Sequence, residues 1–163
     1  LNELIYNSRE DIPIIIDADG LRAIDINKPL RKNIILTPHS GEFSRLIGIN
    51  RNEVELNSFR LAQVWANRLN CIILLKTIPV IITDGEVSFW NINGNPGMAT
   101  GGSGDVLSGI IGSFLGQGLE PILSAALAAY LHSSAGDFFA KKYSQSNLTA
   151  SEMISSLKEV FPK

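Results

Sequence analysis

The residues with the most chemical promise are Gly101, Gly102, Ser103, Gly104 and Asp105, the centre of the stretch NPGMATGGSGDVLSGIIGSFLGQGL. Glycine loses more conformational freedom on folding than any other residue, so a cluster of it signals unusual dihedrals or a backbone that must approach something closely. Three glycines in four positions let successive backbone N–H groups converge into an anion cradle. The apolar run behind them predicts a helix over 104–117, whose N-terminus adds a field favourable to phosphate. Asp105, one residue past the cradle, is placed to accept a proton from a hydroxyl undergoing phosphoryl transfer. The same pattern also suits a plain glycine turn with Asp105 as helix cap, and spacing alone leaves both open. Two commoner loops are excluded: Gly102-Ser103-Gly104 lacks the third glycine of a dinucleotide fingerprint, and no Gly-Lys-Ser/Thr triplet exists for a Walker loop.

Something must carry this loop to its partners. The runs IPIIIDADG (12–20), NIILTPHSGE (33–42) and CIILLK (71–76) are apolar throughout and end in polar residues. Runs apolar on both faces suit buried parallel strands. Between the last two, residues 50–70 carry a helical apolar stripe opened by Asn50 and Glu53 as a capping box, which makes a strand–helix–strand crossover. VIITDGEVSFWN (80–91) holds two β-rich pieces around Asp84-Gly85, a strong hairpin signal. Further helices are predicted over 121–142, rich in small residues for close packing, and over 150–161, opened by Thr149 and Glu152. Ligands of open α/β sheets bind beyond the carboxyl ends of the strands. Here those ends are Asp17–Gly20, Thr37–Glu42 and Lys76, an edge to which residues 94–105 can return.

Composition narrows the classes of partner. The 163 residues are 45% hydrophobic and 18% charged, a globular balance for one domain, and the formal charge is −2. Without a basic run or stripe, nucleic acid and anionic membrane are not expected as partners. The apolar stretches between Val106 and Ala140 are short and interrupted, so no membrane span is expected. The single Cys71 suits a reducing compartment and a buried core thiol, and with no signal-peptide pattern the expected location is cytoplasmic.

The segments DADGL (17–21), LTPHSGEFSRL (36–46) and NPGMATGGSGDVLSGIIGSFLGQGL (95–119) together resemble the NAD(P)H-hydrate dehydratase family of the ribokinase-like superfamily, and the resemblance spans essentially the whole chain. It implies an α/β ribokinase-like layered fold with a mainly parallel central sheet, the hairpin around 84–85 and C-terminal helices. It implies a lyase that uses ADP or ATP with Mg²⁺ to phosphorylate the ring hydroxyl of hydrated NADH or NADPH, then eliminates phosphate to restore the reduced cofactor. The glycine stretch looks more like the bacterial, ADP-using branch.

Carried over by position, Asp105 matches the family's base and Gly101, Gly102, Ser103 and Gly104 its anion hole. Lys76 and Thr77 fall at the nucleotide, although Lys76-Thr77-Ile78-Pro79-Val80 departs from the family's Lys-Gly-x-x-Thr. His39 matches a contact to the hydrated cofactor, with a helix-cap role as its alternative. Asp19 is a further substrate candidate or a turn residue. Glu42 either orients magnesium-bound water or is a first-turn helix acid. The resemblance also implies that residues 1–163 form the C-terminal part of one catalytic domain that is longer at its N-terminus. A homo-oligomer and an upstream epimerase domain are expected with it. Two alternatives stand beside this reading: a small-molecule kinase of the same fold, and a non-catalytic nucleotide-binding subunit.

Overall fold

The computed structural model describes residues 2–161. Five strands, β1 (Ile14–Ile16), β2 (Ile34–Leu36), β3 (Ile72–Leu75), β4 (Val80–Thr83) and β5 (Ser88–Asn91), form one sheet whose order is the order of the chain. The first three run parallel, with Ile15 beside Ile35 and Ile35 beside Ile72. The hairpin expected at Asp84-Gly85 is present and turns β4 and β5 antiparallel. Gly85 has φ +98°, and a Cβ there would lie 2.7 Å from Asn67 Cβ, so the turn needs glycine for both conformation and space.

Because strand side chains alternate, the continuous apolar runs feed two cores. Ile34, Leu36, Ile73 and Leu75 join one with Phe43, Val54, Ala62, Trp65 and Leu69. These come from helices α2 (Ser40–Ile47), α3 (Arg51–Leu56) and α4 (Ser58–Leu69), which follow the short α1 (Asn2–Asn7). Ile35, Ile72, Leu74 and Ile82 point the other way, toward Leu107, Ile111, Ala125 and Ala128. There the layer is built by α5 (Ser103–Gly116), α6 (Pro121–Lys142) and α7 (Ala150–Val160). The result is helix–sheet–helix layering.

Local chemistry explains most element boundaries and one surprise. The single helix expected over 50–70 is two, because the chain leaves helical geometry at Asn57 (φ −122°, ψ 25°). Asn50 caps α3 by accepting from Asn52 N at 2.9 Å, not through a reciprocal box with Glu53. Thr149 caps α7 by accepting from Glu152 N at 3.2 Å, so the half of the expected box that Thr149 supplies is present and the return bond from the Glu152 side chain is not. A reciprocal capping box stands instead at the start of α2, in the residues that carry candidate chemistry. No helix among the described residues is long and apolar enough to cross a membrane.

Candidate functional site

Since β1, β2 and β3 are parallel, their carboxyl ends share one edge. The residues that follow them directly are Asp17, Thr37 and Lys76. Lys76 Nζ donates to Asp17 Oδ1 at 2.9 Å, with side-chain exposures of 24% and 18%. The backbone locks this register: Lys76 N donates to Pro38 O at 2.8 Å, and His39 and Lys76 form an isolated parallel bridge. Burial pushes the Asp17 carboxyl up. The Lys76 hydrogen bond and charge, helped by Thr37 and the Ala18 backbone, outweigh it and hold the group below its ordinary value. The Thr37 hydroxyl lies near enough to favour that carboxylate, yet it is fully buried and finds no hydrogen-bond partner of good geometry. Ala18, next in the chain, has φ +50°, a left-handed conformation that costs a non-glycine residue about 1–3 kcal/mol.

The glycine loop does return to this edge. A Cβ on Gly104 would lie 3.2 Å from Asp17 Oδ2 and 3.6 Å from Lys76 Nζ, so the amino end of α5 abuts the ion pair. Gly102 caps α5 with φ +83° and no side-chain cap bond. Gly102, not Asp105, is therefore the capping residue. Asp105 occupies the third helical position, exposed, one residue from the Lys76 ammonium's neighbour Gly104. Gly101 is exposed and has open space where a side chain would be. Ser103 is buried, and its hydroxyl lies 3.3 Å from His132 Nε2. Ser103 N donates to Thr100 O at 3.2 Å, which leaves Gly104 N and Asp105 N without a backbone partner, and these two N–H groups, the helix dipole and the Lys76 ammonium make an anion-binding corner.

The other candidates fall around it. His39 Nδ1 accepts from Gly41 N (3.0 Å) and Glu42 N (3.2 Å), while Glu42 Oε2 accepts from His39 N at 2.8 Å. Both residues thus have the helix-start roles weighed for them. His39 keeps an exposed ring edge, with Nε2 3.5 Å from Glu42 Oε1. Asp19 is 88% exposed, paired with Arg22 at 3.3 Å. It lines, with Ala18, Arg22, Glu42 and Arg45, an open groove of about 490 Å³ beside the anion corner. Thr77 turns its hydroxyl to Pro79 O at 2.8 Å, inside its own loop. A smaller cavity of about 240 Å³, reached by Cys71, Asp84 and Glu120, lies where β3 begins and not at this edge. The Cys71 thiol there is buried, and burial pushes its pKa well up, as expected of a core cysteine.

Among the described residues, no group of three or more His, Cys, Asp or Glu stands together as a metal cage. Mg²⁺ is usually held by one or two carboxylates, waters and substrate phosphates, so an ion that enters with nucleotide needs no preformed cage.

Sequence reasoning named the Asp17 position only as a strand end and missed His132. His132 comes from α6 and its Nε2 lies 3.0 Å from Ser103 O. Burial is the main cause that lowers its pKa to about 4. Nothing local marks it. Asp17 had one signal, the rule that the residue after each parallel strand faces the ligand edge.

Comparison with known proteins gives the family and the fold. The sequence pattern of NAD(P)H-hydrate dehydratases matches residues 3–159. The chain is 40% identical over 152 residues to a bifunctional NAD(P)H-hydrate repair enzyme of Moorella thermoacetica, covering 90% of this chain and 28% of that protein. It is 34% identical over 155 residues to the ADP-dependent (S)-NAD(P)H-hydrate dehydratase of Bacillus subtilis, covering 94% and 55%. The solved ADP/ATP-dependent NAD(P)H-hydrate dehydratase of Bacillus subtilis, co-crystallised with ATP/Mg²⁺ and soaked with CoA, superposes with a TM-score of 0.84 at 32% identity, covering 92% of this chain and 56% of that one. A ribokinase-like superfamily protein of Enterococcus faecalis matches at TM-score 0.78 and 32% identity, covering 93% and 53%. The layered α/β fold is the ribokinase-like one. The chain spans about half the length of the single-function relatives and less than a third of the bifunctional one.

Proposed function

This chain belongs to the NAD(P)H-hydrate dehydratase family, and from that premise we propose that it carries the phosphate-binding corner and the base of an ADP- or ATP-dependent dehydratase acting on hydrated NADH or NADPH. The observation that carries the reading is the convergence of Gly101–Gly104, the Lys76 ammonium and Asp105 at the amino end of α5. Such a corner stabilises phosphate charge as it shifts during transfer. Asp105 takes the proton of the ring hydroxyl while that oxygen forms its bond to phosphorus and the phosphoryl group's bond to nucleotide breaks. The ring nitrogen's electron pair then expels phosphate, and loss of a proton from the adjacent ring carbon completes the dihydropyridine. Mg²⁺, when bound, would neutralise nucleotide phosphate charge, and Glu42 is the carboxylate that would hold it through water. His39 and Asp19, on the groove side, contact the hydrated cofactor, while Thr77 serves the nucleotide.

The same reading includes a single catalytic domain, a cytoplasmic location, a homo-oligomer and partnership with an epimerase activity. Exposed Leu123, Leu127 and Tyr130 along α6 support self-association, and the bifunctional name of one relative supports the partnership.

The test uses the chain itself and whatever longer product its gene encodes. Given hydrated NADH, ADP or ATP and Mg²⁺, the absorbance of reduced nicotinamide should return with nucleotide consumed in step. Asp105→Asn should bind nucleotide yet lose about 10²–10⁴ in turnover, the usual worth of a positioned base. A stable phosphorylated product without returned NADH would mean a plain kinase, and wild-type turnover in Asp105→Asn would remove Asp105 from the mechanism.

A further inference from the structure

The phosphate cradle is held at both ends by one helix. At its exit, His132 Nε2 lies 3.0 Å from Ser103 O and 3.3 Å from Ser103 Oγ. A carbonyl oxygen only accepts, so the ring nitrogen facing it carries the proton and donates. At the entrance, Asp137 Oδ2 accepts from Gly94 N at 2.9 Å and Asp137 Oδ1 accepts from Asn95 Nδ2 at 2.8 Å. Between them, Ser133 accepts from Asn91 Nδ2 at 2.9 Å, and a Cβ on Gly136 would meet Met98 Cγ at 2.8 Å. Residues 132, 133, 136 and 137 lie on one helical face, so a single rigid strip of α6 follows the loop from residue 91 to residue 103.

We propose that His132 and Asp137 are positioning residues for the phosphate cradle, setting where the N–H groups of Gly101–Asp105 stand by gripping Ser103 at one end of the loop and Gly94-Asn95 at the other. Neither touches the reacting atoms. The proposal rests on the reading that this cradle receives nucleotide phosphate. A glycine-rich loop has little stiffness of its own, and misplacement of a binding group by about 1 Å can cost 10²-fold in rate. The grip is therefore built from a helix, the stiffest element within reach. Burial, which lowers the His132 pKa to about 4, keeps the ring neutral at ordinary pH, so it adds no charge that would compete with Lys76 for the anion.

The test compares His132→Leu, His132→Gln and Asp137→Ala with the parent by backbone ¹⁵N relaxation, ADP–Mg²⁺ titration calorimetry and thermal melting. In His132→Leu the order parameters of Gly101–Asp105 should fall from about 0.85 toward below 0.6, the range of flexible backbone. ADP should bind about tenfold more weakly, the worth of one lost hydrogen bond to a buried group. His132→Gln, whose amide can still donate to Ser103 O, should recover most of both. Asp137→Ala should loosen Gly94 to Met98 first, with a smaller loss of ADP affinity. Because Asp137 is only half-buried, this variant carries the test if His132→Leu fails to fold. Unchanged order parameters and affinity in a folded variant, or loosening spread evenly through α5 and α6, would overturn the proposal. If the parent takes up no ADP while the loop still responds, the nucleotide reading fails and the positioning stands. If it binds ADP but the loop is unmoved, the positioning alone fails.

Discussion

The two faces of the sheet are packed by opposite means. On the α2–α4 face the sheet meets large side chains, Phe43, Trp65 and Leu69 among them, and the helices are held off by side-chain bulk. On the α5–α7 face α6 presents Ala125, Ala128, Ala129, Ser133 and Gly136, and the backbones approach closely. Both faces bury large apolar side chains, Leu107 and Ile111 of α5 among them on the second, but the contribution of α6 there comes largely from small residues. The second brings the amino end of α5 against the Asp17–Lys76 pair, with His132 of α6 holding Ser103, and the anion corner is built there. Small side chains give up stability per residue in exchange for placing polar backbone.

This contrast can be broken by mutation, because bulk fails by deletion and fit fails by addition. Leu69→Ala on the first face should lower unfolding free energy by about 2–5 kcal/mol, read by chemical denaturation, while nucleotide affinity of the folded fraction stays unchanged.

Acid should then find the second face first. The His132 pKa is lowered to about 4 from an ordinary 6.5, so the unfolded chain binds the extra proton between those values. Stability contributed by the neutral ring is complete above pH 6.5, falls as pH drops toward 4, and is flat below, a loss of about 3 kcal/mol in all. Asp17 is depressed below its ordinary carboxylate value, so its contribution persists through that window and is lost only at lower pH. Denaturation curves at pH 7, 5.5 and 4.5 check this, and His132→Gln should flatten the slope.

The smallest effect expected is from Ala128→Leu, which adds bulk where α6 meets the sheet. Overpacking of this kind costs about 1–3 kcal/mol. Unlike Leu69→Ala, it should also weaken nucleotide binding, because it displaces the helix that follows the loop. Equal effects of the two variants on binding would mean that the faces do not differ in the way described.

Much of this was readable in the sequence. Apolar runs ending in polar residues gave the three parallel strands, Asp84-Gly85 gave the hairpin, and Gly101–Gly104 gave the glycine turn that opens α5, because each depends on local rules of burial and backbone freedom. The remainder depended on tertiary geometry. In DADGL, Asp17 follows β1 directly and meets Lys76, and the chain turns left-handed at Ala18 before the exposed Asp19. Alanine rarely adopts that conformation, so nothing in the string announces it. The pairing of His132 with Ser103 spans 29 positions and exists only because α6 packs on α5. The break at Asn57 was hidden by an apolar stripe that continues through it. For His39 and Glu42 the bland alternatives, cap and first-turn acid, are present in the fold, and neither prevents contact with a ligand across the exposed ring edge.

The strand order has a consequence for how the molecule is made. Each strand's sheet neighbours are also its neighbours in the chain, so every strand after β1 finds an already synthesised partner as the polypeptide lengthens. Among the described strands, none is inserted later between two earlier ones. Parallel pairings close long loops and are intrinsically slow, and unpaired strand edges invite aggregation while they wait. Among the described strands, growth from β1 toward β5 lets each new strand cover the edge left by the one before it. The anion corner comes last. Its strand-end half exists once β3 has paired, but the cradle needs α5, and α5 needs the grip of α6, so ligand-binding competence should lag behind sheet formation during folding.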